Sequence, residues 1–380
     1  MVGTGPTALG LERAFGRRGI HVFLVSDKKD PAGFSRYCQK SFRISGVSHD
    51  RTVLEYALRE VVKMCRRKPV VYPTSDMDAV NLAELKDVLA DDYYFVVGDS
   101  RVVRTIVDKK RFYKVLSEHR IAHPRTYFPT DAKETRILGT QLDYPIFVRP
   151  SITQLFNRVF PKAGKGFVAH TPNELSYYYR LAVNRGIEVM FQETIPGPAI
   201  NSYQLEGYYN ITNSPLVVFA RQRLRIWPPD FGNTTLCTSI PLAKLTAEKR
   251  VIDRFLATIG YNGLMSAEFK RDDRDGMLKL LEINARPWWH IWLSEKCGVD
   301  IALTSYLDAI GDADAQLQNE QYEVGVKSIH LINDIRAAVH MFSTKELSPH
   351  EWVSSLKGKK CFTIFSRKDP LPLILLPFFR

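Results

Sequence analysis

Strand-length apolar runs and helix-length amphipathic runs take turns from Met1 to Asp99, and few folds accommodate that rhythm. MVGTG reads as the end of a strand running into a Gly-rich turn, and TALGLERAFGRRG predicts a helix closed by Gly19. HVFLVSD, PVVYPTS and YYFVVGD predict strands; RTVLEYALREVVKMCRRK and NLAELKDVLADD predict the helices between them. Such βαβ alternation implies a parallel sheet with helices on both faces. From Asp108 the texture changes. DKKRFYKVLSEHR and TPNELSYYYRLAVNRG predict helices, but strands dominate: YPIFVRP, GKGFVAH, EVMFQETI, YQLEGYYN, LVVFARQRL, LMSAEFK and MLKLLEIN. The expected fold class is α/β followed by α+β. After about Ile310 the chain is less regular and ends in the proline-broken PLPLILLPFFR.

A chain of 380 residues is long enough for two or three lobes with a true core. No internal repeat or low-complexity segment is visible. The start lacks the basic and apolar regions of a signal peptide, and no run reaches the ~18 apolar residues of a spanning helix. Cys38, Cys65, Cys237, Cys297 and Cys361 are scattered and never spaced CxxC. They read as reduced cytoplasmic thiols rather than a disulfide frame or zinc site. The formal charge of +12 points to an anionic partner. Without an RNP, KH or zinc-finger pattern, nucleic acid is not expected.

Gly3, Gly5 and Gly10 form GxGxxxxG ahead of a helix, with Asp27 ending the next strand. Helix-opening amides can hold phosphate, so an NAD-dependent oxidoreductase is one alternative. The favoured reading is a tight turn that only packs strand on helix. Almost nothing precedes Gly3, so the first strand reads as clipped and its true start as lying upstream.

The most informative segment is SAEFKRDDRDGMLKLLEINARP, residues 266–287. A three-residue loop of Arg274, Asp275 and Gly276 gives glycine the left-handed position such hairpins need. Asp273 then pairs with Met277, and counting outward sets Glu268 opposite Glu282, with Cβ atoms ~4.5–5.5 Å apart. Asn284 and Arg286 share that face. Two carboxylates and an amide oxygen on one face repel unless a cation joins them, and hard oxygens suit Mg²⁺ shared with substrate phosphates. Arg286 adds a fork for a phosphate or carboxylate. The bland alternative is a solvated hairpin, against which stand the apolar Leu278, Leu280 and Ile283.

In this setting, residues 1–300 resemble the ATP-grasp superfamily. Asp108–Phe112 resembles its opening helix, with Lys109 approaching the nucleotide phosphates. YPIFVRPS resembles the strand usually ending Lys-Pro, with Arg149 standing for lysine as in carbamoyl-phosphate synthetases. GKGFVAHTPNEL resembles the flap over the phosphates, lengthened here, with Lys162 and Lys165 as its charges. MFQETIPGP resembles the hinge, where Gln192, Glu193 and Ile195 would contact adenine. AEFK and LEINAR resemble the metal-binding strands. The ribose acid has no clear match; Asn201 and Glu206 lie near its place. The branch most alike is the carboxylate–amine ligases that include D-aspartate ligase, whose Rossmann-like N-terminal lobe usually holds no nucleotide.

The resemblance implies a Rossmann-like lobe (1–107), a two-lobed ATP-grasp domain (108–190 and 191–310) and a C-terminal extension (311–380). It implies ATP and Mg²⁺ as cofactors, Glu268, Glu282 and Asn284 as metal ligands, and an amide bond formed through an acyl phosphate, as in cell-wall or cell-surface precursor synthesis. Its substrates would be a small carboxylate and an amine. Arg149, Arg225 and Arg286 would supply catalytic charge. Arg225, Pro228 and Gly232 match the stretch beside the acyl phosphate, and alternation puts Arg221 and Arg223 on the face of Arg225. Trp288, Trp289 and Trp292 read as core, with His290 a candidate base. The basic, apolar C-terminus is expected to cover a groove in this chain or a dimer partner, or to rest on the inner face of a membrane. A non-catalytic nucleotide-binding or membrane-associated scaffold is the remaining alternative.

Overall fold

The structure, a computed structural model, describes residues 1–229, 231–312 and 321–379; residues 313–320 of the C-terminal extension, and Arg380, lie outside them. The chain divides into two compact units. One comprises Met1–Val103, Tyr203–Ala267 and Asn284–Arg380; the other comprises Arg104–Ser202 and Glu268–Ile283.

In the first unit, Val22–Ser26 pairs in parallel with Cys38–Arg43, and Val70–Val71 with Tyr94–Phe95. Val2 bridges Val25 on one side and Pro73 on the other, joining the pairs. The helices Gly5–Gly16, Arg51–Val62 and Asp76–Leu85 follow the expected alternation. The third begins before the NLAELK run, because Ser75 and Asp78 form a capping box that satisfies its first amides. Cys38–Arg43 has no place in the sequence reading; its CQKSFR is mostly exposed and lacks an apolar face.

Among the described residues the same unit holds, wholly or in part, six further strands in the order Gly263–Arg271 (as far as Ala267), Ser202–Tyr209 (from Tyr203), Pro215–Trp227, Asn233–Ser239, Lys327–Ile329 and Lys360–Phe362. The last pair is parallel. One apolar cluster joins Phe15, Tyr72 and Val96 to Phe219, Trp288 and Leu293, so the N-terminal alternation and this sheet share a core. Trp288 thus packs as the sequence suggests. The C-terminal helix Leu371–Leu375 turns Leu373 and, just beyond it, Leu376 onto a smaller cluster around Leu9 and Leu24. Leu371, Ile374 and Phe378 face outward. No helix among the described residues is long and apolar enough to cross a membrane.

The second unit is built on a four-stranded antiparallel sheet ordered Thr126–Tyr127, Val189–Glu193, Ile146–Pro150 and Phe167–Ala169. Lys109–Glu118 opens it, its first amides accepted by Asp108, a cap worth ~1 kcal/mol. The lengthened flap contains a helix, Thr153–Val159. Phe156 is fully buried there and packs with Phe160 and Phe167 at ring separations of 5.0 and 5.1 Å, which explains why this stretch is not an open glycine loop. The hairpin tip 268–283 completes the unit: Leu280 N donates to Ala122 O at 2.8 Å, and the Tyr113 hydroxyl to Leu281 O.

Candidate active site

The hairpin closes one residue earlier than the sequence count. Asp272 N donates to Met277 O at 2.9 Å and Asp272 O accepts from Gly276 N at 2.8 Å, so residues 273–276 form a four-residue loop. Gly276 has the expected left-handed backbone, with φ +72°. A one-residue slip exchanges faces, so the turn does not by itself oppose Glu268 to Glu282. What fixes the turn is Asp272, fully buried, whose carboxylate takes Arg274 Nε at 2.9 Å and Lys279 Nζ at 2.5 Å. Arg274 first, and Lys279 after it, hold its pKa well below the usual carboxylate range.

Glu282 is the centre of the site. Lys109 Nζ lies 3.1 Å and Arg149 Nη2 2.8 Å from its Oε2. Arg149 stands on an inner strand and spends its other nitrogen, Nη1, on Tyr113 Oη (2.8 Å) and Gln192 Oε1 (2.9 Å). Gln192 in turn donates to Thr126 Oγ1 at 2.9 Å. Tyr113 escaped the sequence reading, though it sits four residues after Lys109 in one helix and so on the same face. Burial raises the Glu282 pKa, but Lys109, Lys165 and Arg149 outweigh it and hold the carboxylate well below its usual value. Lys165 of the flap is therefore in electrostatic reach of Glu282. Three cations around one carboxylate leave an excess of positive charge, which suits a polyanion.

The hard oxygens that the sequence reading assigns to a cation are those of Glu268 and Glu282, both half-buried, and of Asn284, which ends the same strand as Glu282 and accepts from Arg286. Slipped by one residue, the turn does not place Glu268 on the face of Glu282. Among the described residues no three His, Cys, Asp or Glu side chains form a ready-made cage. Mg²⁺ does not need one, since it commonly takes one or two carboxylates and completes its shell with phosphate and water. Both cationic contacts fall on Oε2 of Glu282, so the chemistry of this carboxylate suits Mg²⁺ in company with a phosphate.

In the segment that the sequence reading takes as the hinge, the side chains of Gln192 and Glu193 face tasks other than adenine. Gln192 props Arg149, as above. Glu193 accepts from Arg125 N (2.8 Å), Arg125 Nε (3.0 Å) and Arg274 Nη2 (3.0 Å), tying hinge to hairpin. Ile195 is buried and its carbonyl takes Lys270 Nζ at 2.7 Å. Between them the Thr194 hydroxyl is shielded from solvent with no hydrogen-bond partner among the described residues. Asn201 donates to Asp273 at 2.6 Å.

The remaining candidates belong to the first unit. Arg286 donates to Asp76 Oδ1 at 2.8 Å and to Asn284 Oδ1 at 3.2 Å. Arg225 forms a buried two-pronged pair with Asp334, both contacts 2.9 Å, and reaches Ser355 Oγ at 2.8 Å. Arg221 bonds the buried Glu206 at 2.7 Å, and Arg223 bonds Thr234. The register shifts between Arg223 and Arg225, so simple alternation does not extend across the three. His290 is buried, its ring nitrogens occupied by Ser328 Oγ and Thr234 O. Burial, reinforced by Arg221, pushes its pKa well down, so it is a neutral core group rather than a base poised at a surface. The N-terminal turn is likewise occupied: Thr4 N donates to Thr74 Oγ1 and Gly5 N to Asp30 Oδ1. A Cβ on Gly3 would lie 1.9 Å from Thr74 Oγ1, so that glycine serves close packing.

No protein-family model matches the chain. The D-aspartate ligase of Enterococcus faecium (strain Aus0004) is 23% identical over 302 residues, covering 75% of this chain and 70% of that protein. The biotin carboxylase domain of Hydrogenobacter thermophilus 2-oxoglutarate carboxylase, a dimer in complex with MgADP, ADP and bicarbonate, superposes with a TM-score of 0.62 at 16% identity, over 84% of this chain and 72% of that one. The N5-carboxyaminoimidazole synthetase of Staphylococcus aureus gives 0.62 at 14%, over 85% and 78%. At these identities the likeness to solved structures establishes the fold.

Proposed function

We propose that this chain, whose fold is that of the ATP-grasp proteins, is an ADP-forming ligase that joins a small carboxylate to an amine. The observation that carries the reading is Glu282 held by Lys109 and Arg149 within reach of Lys165. A carboxylate does not yield to an amine at neutral pH until its oxygen becomes a leaving group, which γ-phosphoryl transfer achieves by forming an acyl phosphate. Both partners are anionic, so catalysis depends on positioning and charge. Glu268, Glu282 and Asn284 would hold Mg²⁺, which would supply charge neutralisation at the phosphates. Lys109 and Arg149 are anchored on helix and strand, so their charges need no rearrangement when the phosphates arrive. Tyr113 and Gln192 keep the Arg149 fork in plane. The shielded Thr194 hydroxyl and the hinge backbone at Glu193 and Ile195 meet the base. Arg286, its guanidinium filled by Asp76, Pro287 and Asn284, acts as a positioning residue for Asn284. Arg225, its fork filled by Asp334, acts as a positioning residue for the strand Pro215–Trp227.

The D-aspartate ligase likeness supports an amino-acid carboxylate and a cell-wall or cell-surface precursor amine, with the enzyme working in the cytoplasm. Peripheral contact with the membrane through Leu371, Ile374 and Phe378, and a homodimer, belong to the same proposal. The occupied amides of Thr4 and Gly5 weigh against nicotinamide cofactor binding. The test is ADP release from ATP–Mg²⁺ across a matrix of amino acids, D-aspartate first, and amine acceptors including cell-wall precursors. Carboxylate-dependent release that vanishes in Glu282→Gln is the expected result. Release unchanged in that variant, or thermal stabilisation by NAD and not by ATP–Mg²⁺, refutes the reading.

A further inference from the structure

The first unit contains a cavity of about 620 Å³ that the ligase reading leaves unused. Six basic side chains line it, Arg13, Arg17, Lys296, Lys360, Arg367 and Lys368, and no acidic one does. Two of the six are already neutralised. Arg13 pairs with the buried Asp369 at 2.9 Å, and Arg17 grips both oxygens of Glu295 at 2.7 Å. Lys296, Lys360, Arg367 and Lys368 have no carboxylate within ion-pair distance among the described residues. These four cations without an ion-pair partner, three of them exposed and Lys360 donating to Leu356 O, repel each other around one hollow, a cost that a multiply charged anion reduces.

The rest of the wall is aromatic. The Arg17 guanidinium lies 3.6 Å from the Trp292 ring centre and the Lys296 ammonium 4.9 Å from it. Cation–π contact fixes both charges beside a flat apolar surface. Phe362 and Phe365 meet edge to face at 5.4 Å across the same lining. A bare inorganic ion would use only the charges. The aromatic wall suits a ligand with a ring or apolar body attached to its anionic group.

We propose that this cavity is a second binding site, for a phosphate-bearing ligand with an aromatic or apolar body. Its phosphate meets Lys296, Lys360, Arg367 and Lys368, and its body lies on Trp292, Phe362 and Phe365. The phosphate comes either from a soluble ester or from a lipid headgroup. The second source is worth an arm because the outward Leu371, Ile374 and Phe378 follow Arg367 and Lys368 along the chain.

The experiment uses the full chain and two probes, 1-naphthyl phosphate by calorimetry and sedimentation with phosphatidylcholine vesicles with or without phosphatidic acid. Each is run without nucleotide, because ATP itself carries phosphate on an aromatic body; the cavity variants below separate this site from the candidate active site. Saturable binding of naphthyl phosphate, absent with 1-naphthol, identifies a soluble ester; binding only to phosphatidic acid vesicles identifies the headgroup. In either case Lys296→Ala/Lys360→Ala should weaken binding about tenfold. The exposed pair Arg367→Glu/Lys368→Glu should do the same and serves where the first variant fails to fold. ADP release should persist in both, so failure here is distinguishable from failure of the ligase reading. Absence of binding to both probes, or affinity unchanged in a folded variant, overturns the proposal.

Discussion

Replacing Arg149 by lysine keeps a positive charge on the strand Ile146–Pro150 but removes the fork. The guanidinium makes three contacts, to Glu282 Oε2, Tyr113 Oη and Gln192 Oε1, and is buried while making them. An ammonium on a flexible stem can replace the ion pair to Glu282 but cannot span all three directions. One buried partner is left unmatched, at about 1–3 kcal/mol. We take ~2 kcal/mol as the expected loss, confined to the second unit. All five tryptophans lie in the first unit, at 227, 288, 289, 292 and 352. Tryptophan fluorescence is therefore blind to the change, and native-state hydrogen exchange is the suitable assay. Amides of Ile146–Pro150 and Val189–Glu193 should exchange about thirtyfold faster in the variant, the equivalent of ~2 kcal/mol. Amides of Pro215–Trp227 should not change. Protection of the first two strands within ~0.5 kcal/mol of wild type would show that charge alone matters at this position and that the three-way fork does not hold the site together.

Phe156→Ala should remove the anchor of the flap helix and cost about 3–5 kcal/mol, read as loss of exchange protection across Thr153–Val159 and Phe167–Ala169. Gly197→Ala should destabilise the hinge by ~1–3 kcal/mol, because φ is +110° and the new Cβ would lie 2.5 Å from Asn201 Nδ2 and 2.8 Å from Asp273 Oδ2; denaturant titration followed by circular dichroism checks it. Asp272→Asn should show its defect mainly at neutral pH. The folded carboxylate is held below its unfolded value of ~3.9. Its contribution is thus full above that value and disappears as acid titrates the folded form. The stability gap to wild type should narrow from about pH 4 downward, and a gap that stays constant into acid would contradict the assignment.

Local patterns carried much of this. The helix Lys109–Glu118, the strand Ile146–Pro150 that carries Arg149 and the Glu282 strand were legible because period and turn chemistry are short-range. The turn itself was misread by one residue, since Asp273 and Asp272 are equally plausible closers until Lys279 and Arg274 are seen to converge on Asp272. Long-range partners were invisible. Nothing near Arg225 announces Asp334, 109 positions away, and nothing near Glu193 announces Arg125, 68 positions before it. The strand Cys38–Arg43 was missed because an exposed strand rich in polar residues has no alternation to display.

The second unit is assembled from two stretches of chain separated by residues 203–267. During synthesis, Arg104–Ser202 leaves the ribosome with Arg149 already on its strand but with Glu282 still unmade. Until residue 283 emerges, a buried cation waits without its carboxylate and Ala122 O without the Leu280 amide. The nascent lobe is therefore incomplete at the point where its own contiguous sequence ends, and its final consolidation is timed by the later hairpin. Transplanting 104–202 alone would carry the cations without the acid they surround.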